Sequence, residues 1–182
     1  MSDLLQIDSY GTLVGPDTLQ IRRLLPGPIE RVWDYITDGD LRRLWLAGGE
    51  MKAEAGEEFE LVWRNDELTE PAGERPEGMP EEHRKQSEVV FADPPHKLVI
   101  TWAGTGDVTF DLKVEGGQVL LTLTHERFPT RSSILGHAAG WHAHLDLLEA
   151  RAAGRQPEPY FWDRWRALRE DYDLRVPADA GA

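Results

Sequence analysis

Four of the chain's six histidines lie close together: His125, then His137, His142 and His144 around Trp141 in the stretch GHAAGWHAHLDLLEA. Imidazole is both a common transition-metal ligand and the usual general base near neutral pH, so metal binding and acid-base catalysis are the two chemistries to weigh. On a helix, His137 and His144 project roughly 20° apart on one flank, whereas His142 lies roughly 140° or more away from each. His137 and His144 are also two turns apart, about 10 Å along the axis. This spacing predicts no metal site. It predicts histidines that border a buried stripe and bond to nearby strands or solvent.

His125 continues the alternation Val119, Leu121, Leu123 and so belongs on the same face of a strand. A polar group buried there needs a partner, since leaving it unpaired costs about 1–3 kcal/mol. A ligand carbonyl or hydroxyl, a water or a neighbouring side chain would serve. If Asp146 or Glu149 approached it, acid-base chemistry with His125 or His137 as base would become available. No G-x-S-x-G elbow, Gly-rich phosphate loop or H-E-x-x-H zinc motif is present, and Ser132-Ser133 reads as a helix cap. The chain has no Cys, which excludes thiolate ligands, thiol nucleophiles and disulfides. The residues thus predict no catalytic set and no cofactor.

The elements that must position these side chains are legible from periodicity. Ile134, Ala138, Trp141, Leu145, Leu148 and Ala152 fall on one helical stripe within roughly 40° of its centre. Ahead of that helix, Ser87–Ala92, Lys97–Ala103, Asp107–Glu115 and Gln118–Glu126 alternate as strands, with turns at Asp93–His96, Gly104–Gly106 and Gly116-Gly117. They form a meander whose inner face carries sets such as Leu98, Ile100, Trp102 and Val108, Phe110, Leu112, Val114. Earlier still come strands at Gly11–Val14, Thr18–Leu25 and around Phe59, Leu61 and Trp63. Between them lie a helix bearing Ile29, Val32, Trp33 and Ile36, which Pro28 opens, and a shorter one capped by Asp38. Arg22-Arg23 and Arg42-Arg43 read as solvated faces. Asn65–Gln86, Pro-rich and acidic with almost no apolar residue, predicts a mobile loop or a lid at a cavity mouth. A last helix over Tyr160–Tyr172 shows Phe161, Trp165, Leu168 and Tyr172 on one side. It packs on the domain or serves as a dimer contact, and the tail after Pro177 looks frayed.

With 182 residues the chain fits one domain, here residues 1–153 with a helical extension over 154–182 packed on it. A net charge of −13 disfavours nucleic acid and anionic membrane surfaces. No apolar run approaches a membrane span, and the N-terminus MSDLLQIDSYGTLVG lacks a secretory pattern, so a cytoplasmic protein without integral membrane association is expected. Seven Trp supply what an apolar pocket needs for walls.

Four stretches together resemble one superfamily: YGTL (Tyr10–Leu13), LPGPIERVWDYITDGDLRRLWL (Leu25–Leu46), LTLTHERF (Leu121–Phe128) and AAGWHAHLDLLEA (Ala138–Ala150). They are similar to the SRPBCC superfamily (START and Bet v-like), and within it to the family named for the activator of the heat-shock-protein-90 ATPase, over roughly residues 10–153. The resemblance implies an α+β helix-grip fold, in which a curved antiparallel sheet, two short helices and a long C-terminal helix enclose a hydrophobic cavity. It also implies a non-enzymatic binder of a small apolar or amphipathic ligand, with Trp63, Trp102, Phe110, Leu123, His125, Trp141 and Leu145 as walls and His125 orienting the polar end. The alternatives are a polyketide-cyclase-like or hydrolase-like enzyme in the same cavity, or a module that engages a chaperone or forms a homodimer through Phe161, Trp165 and Tyr172. The separate large N-terminal domain of true chaperone activators has no counterpart in the sequence, which weighs against a co-chaperone role.

Overall fold

The computed structural model describes residues 6–181; the first five residues of the N-terminal stretch read above, and Ala182, lie outside it. Seven strands form one antiparallel sheet: β1 (Thr12–Gly15), β2 (Thr18–Pro26), β3 (Glu58–Trp63), β4 (His83–Asp93), β5 (Lys97–Ile100), β6 (Val108–Glu115) and β7 (Gln118–His125). Their order is β1-β2-β7-β6-β5-β4-β3. The tight turns make β4 to β7 sequential neighbours, and β2 returns to pair with β7 from Leu19 opposite His125 to Pro26 opposite Gln118. Helices α1 (Ile29–Thr37) and α2 (Gly39–Arg42) bridge β2 and β3, followed after β7 by α3 (Arg131–Ala152) and α4 (Phe161–Arg175).

The expected alternation sets the core. Leu19, Ile21 and Leu25 of β2, Val108, Phe110 and Leu112 of β6, and Val119, Leu121 and Leu123 of β7 are buried together, while Val114, expected with them, is exposed near the strand end. The α3 stripe lies on the sheet. Leu135, Ala139, His142, Ala143 and Leu147 are buried as well, because α4 packs along α3 and covers a second side. Helix α3 starts slightly earlier than Ser132-Ser133 implied: the cap is Thr130, whose Oγ1 accepts the Ser133 N–H at 3.1 Å.

Both basic pairs differ from the expected solvated faces in one member each. Arg23 points inward from β2, where Asp146 at 3.0 Å and the Ser9 carbonyl at 2.6 Å receive its guanidinium. Arg42 is equally buried and donates to the carbonyls of Ile36, Thr37, Ala47, Gly48 and Gly49, tying together the turn that follows α2. Gly49 is required in that turn: its φ is 109°, and a Cβ would overlap the Glu60 carbonyl.

Segment 65–82 also departs from expectation. It opens with a 3-10 turn at Asn65–Glu67, buries Leu68 and Thr69, and supplies partners to the start of α4. Thr69 Oγ1 accepts the Phe161 N–H at 3.1 Å, and the carbonyls of Pro71 and Ala72 accept those of Tyr160 and Trp162 at 2.7 and 3.0 Å. A helix leaves its first N–H groups unpaired, and here a remote acidic segment satisfies them. The tail likewise returns to the body: Gly181 N–H donates to the Pro16 carbonyl and Ala180 is buried.

Candidate functional site

The centre of the sheet–helix interface is solid. Phe110, Leu123 and Leu145 are at most 2% exposed, and the Trp141 ring packs edge-on to Phe110 with centroids 6.0 Å apart. The hollow lies to one side, toward β3 and β4 and beneath the first half of α3, with a volume of about 510 Å³. Trp63 from β3, Trp102 after β5, Trp141 from α3 and Trp162 and Trp165 from α4 all line it. Five of the seven tryptophans therefore converge on one space. Gly136 and Gly140, one turn apart on α3, keep the helix side open, and a Cβ at Gly136 would meet nothing within 4 Å. Met79, Pro80 and Glu81, from the end of the acidic segment, complete the wall at its rim.

Of the expected wall residues, Trp63, Trp102 and Trp141 are thus brought together, while Phe110, Leu123, Leu145 and His125 belong to the packed core beneath. Phe161, Trp162 and Trp165 take the places that were expected deeper under the sheet. Their role was hidden because they follow a chain break and look like an appendage. Phe161 and Tyr172, read as a dimer face, are buried within the chain, as is Trp162, so that aromatic side of α4 is turned inward.

His125, expected to orient the ligand's polar end, has a protein partner on each ring nitrogen. The Trp141 indole N–H can only donate, and it donates to His125 Nδ1 at 3.0 Å, which fixes the proton on Nε2. Nε2–H then meets Thr105 Oγ1 at 2.6 Å, and the Thr105 hydroxyl turns to the Trp102 carbonyl at 3.2 Å. Burial pushes the His125 pKa down to about 2, with His137 and Lys85 acting in the same direction. Burial thus favours the neutral ring, and both of its nitrogens have protein partners. Asp146 does not approach it, being engaged by Arg23 at 3.0 Å and Arg164 at 3.3 Å.

His137 and His144 share the cavity wall, as their common flank implies. His137 Nδ1 donates to the Ser133 carbonyl at 2.8 Å and His144 Nδ1 to the Trp45 carbonyl at 2.7 Å, leaving each Nε2 as an acceptor. Burial lowers both pKa values, that of His144 to about 4, although the carbonyl bond favours its protonated form. His142 faces the other way: its Nε2 accepts from Arg164 at 3.4 Å, which leaves Nδ1–H to donate to the Tyr172 hydroxyl at 2.9 Å, and that oxygen also accepts the Gly11 N–H. No group of three or more metal-ligating side chains assembles among the described residues.

Two polar atoms on residues of the wall have no hydrogen-bond partner: Trp102 Nε1 and Asn65 Oδ1. Each stands to lose about 1–3 kcal/mol while unpaired. Lys85 also lines the cavity, with Nζ 3.4 Å from the Ala103 carbonyl and 5.9 Å from the Trp102 ring centroid. Desolvation lowers its pKa. A second, larger hollow of about 770 Å³ surrounds α2, but its walls mix Arg43, Arg64 and Arg84 with Asp38, Asp40 and Glu67. Such a charged groove offers an apolar guest little burial.

The family model described as "Activator of Hsp90 ATPase homolog 1-like protein" matches residues 26–153. In three dimensions the chain is similar to a Bordetella parapertussis protein encoded by gene BPP1335, at 37% identity and a TM-score of 0.74 over 93% of this chain and 92% of that one. CalU16 from Micromonospora echinospora is similar at 22% identity and a TM-score of 0.65, over 88% of this chain and 89% of that one. A conserved protein of unknown function from Enterococcus faecalis, EF2215, shares 15% identity with a TM-score of 0.66, over 92% of each chain. No curated protein matches the sequence.

Proposed function

The chain belongs to the activator of Hsp90 ATPase homolog 1-like family within the helix-grip fold, and from that premise we propose that it binds a small, largely apolar molecule between β3–β4, α3 and α4. One observation carries this reading: five tryptophans, among them Trp63, Trp102 and Trp141 packed on one another at 5.0–5.4 Å, line a hollow that the chain leaves unfilled. An empty apolar space of this size forfeits dispersion contacts that a guest restores. Its volume falls in the range of small-molecule sites. The few polar atoms of the wall fix orientation, and the packed His125 strut holds Trp141 in place. Ligand binding is the role that this arrangement supports, since the wall is dominated by tryptophan faces.

Tryptophan emission reports directly on occupancy. A panel of flat apolar molecules should quench it and raise the unfolding temperature. Gly136→Phe, which fills the hollow from α3 at a position with free space, should abolish the quenching while leaving the far-ultraviolet circular dichroism spectrum unchanged. Quenching that survives this substitution would place the guest elsewhere and refute the assignment.

A further inference from the structure

We propose that the guest is an anion: a flat, mostly apolar molecule bearing one carboxylate, its rings against the tryptophans and its acid group on Lys85 and the Trp102 indole N–H. This narrows the ligand class of the site and rests on the binding role proposed above. The first observation is one of charge. Lys52, Lys97 and Lys113 each face a carboxylate within 4.0 Å, at 3.3, 3.9 and 3.0 Å. Lys85, alone among the four lysines, has none within that distance among the described residues, in a chain whose net charge is −13. Acidic side chains are abundant, yet the ammonium in the cavity wall is left without one.

The second observation is independent of charge. Trp102 is 7% exposed, and its Nε1–H has no acceptor. Its ring is the one over which Lys85 lies. An indole N–H with no acceptor and an ammonium bonded only to the Ala103 carbonyl, at 3.4 Å, therefore belong to the same wall, and neither can accept. A carboxylate satisfies both at once with its two oxygens. A neutral carbonyl leaves the ammonium uncompensated, and a cation meets repulsion. Thr130, Ser132 and Ser133 also line the cavity, where the start of α3 adds its partial positive charge. Glu81 is the one carboxylate of the wall, and it is exposed at the rim. Repulsion from the remaining surface acids is screened within about 8 Å at physiological salt, so it does not outweigh the local pair.

Anthracene-2-carboxylate and anthracene-2-carboxamide are matched in shape and differ in charge, and both are titrated against the full chain by tryptophan quenching. The carboxylate should bind about tenfold more tightly, the size expected of a charge-assisted contact in a partly desolvated site. Lys85→Met should erase that preference while leaving carboxamide affinity within about twofold, and Lys85→Arg should restore most of it. Trp102→Phe, which keeps the ring wall but removes the N–H, should weaken the carboxylate more than the carboxamide. Equal affinity for the two probes in the unsubstituted protein, or a preference that survives Lys85→Met, overturns the anion assignment and leaves the cavity reading intact. Failure of both probes to bind counts against the cavity itself and removes the anion assignment with it.

Discussion

At the scale of single residues, His125 shows how a group suited to chemistry becomes a structural joint. Its two nitrogens connect α3, through Trp141, to the turn after β5, through Thr105. Removing the ring leaves the Trp141 N–H without an acceptor and opens a void, since the side chain is fully buried. His125→Ala should therefore cost about 3 kcal/mol in urea unfolding, and it should weaken ligand binding only through the loosened position of Trp141. Unchanged stability would show that the Trp141–His125–Thr105 chain contributes nothing to the fold. Arg42 is the parallel case among cations. Burial lowers its pKa to about 10, and five carbonyls replace the water it has lost.

At the scale of elements, α4 and the acidic segment depend on each other. The segment has too little apolar surface to order itself, yet it pairs the unsatisfied N–H groups at the start of α4, and Asp66 accepts the Trp162 indole N–H at 2.7 Å. Arg75 pairs with Asp66 from the same segment. Trp162→Ala removes a wall of the cavity together with this anchor. It should cost about 3 kcal/mol of stability, and it should speed cleavage by a glutamate-specific protease at Glu74 and Glu77 well beyond cleavage elsewhere in the chain. Cleavage at Glu74 and Glu77 that rises only in step with global unfolding would show that the segment holds its place without α4.

For the whole molecule, the buried histidines set the response to acid. Burial holds the folded-state pKa of His125 at about 2 and those of His142 and His144 at about 4, all below the value near 6.5 of an unfolded chain. Below about pH 6.5 the unfolded state takes up protons that the folded state refuses. The stabilisation is thus complete above that pH and is lost as pH falls toward 4. With nearly one proton per ring, the loss between pH 6 and pH 5 should be on the order of 3 kcal/mol, read from urea midpoints at the two values. A flat profile across this interval would mean that the rings are hydrated in the folded protein. No helix among the described residues is long and apolar enough to cross a membrane.

Local periodicity was enough to specify most of the architecture. The two-residue alternation of β6 and β7, the short Gly turns of the meander and the stripe from Ile134 to Ala152 each depend on neighbours in the chain, and each appears where the residues imply. The composition also announced a tryptophan-rich pocket. What periodicity could not carry was any relation between distant segments. Thr69 as a cap for α4, Arg23 turned inward to meet Asp146, and Trp162 and Trp165 as walls are all contacts across many residues. The hollow itself is such a relation, because its position follows from where packing stops. Phe110, Leu123 and Leu145 fill the middle of the interface, and Gly136 and Gly140 leave room beside it. Side-chain volumes meeting in three dimensions decided that, and no one-dimensional pattern records them.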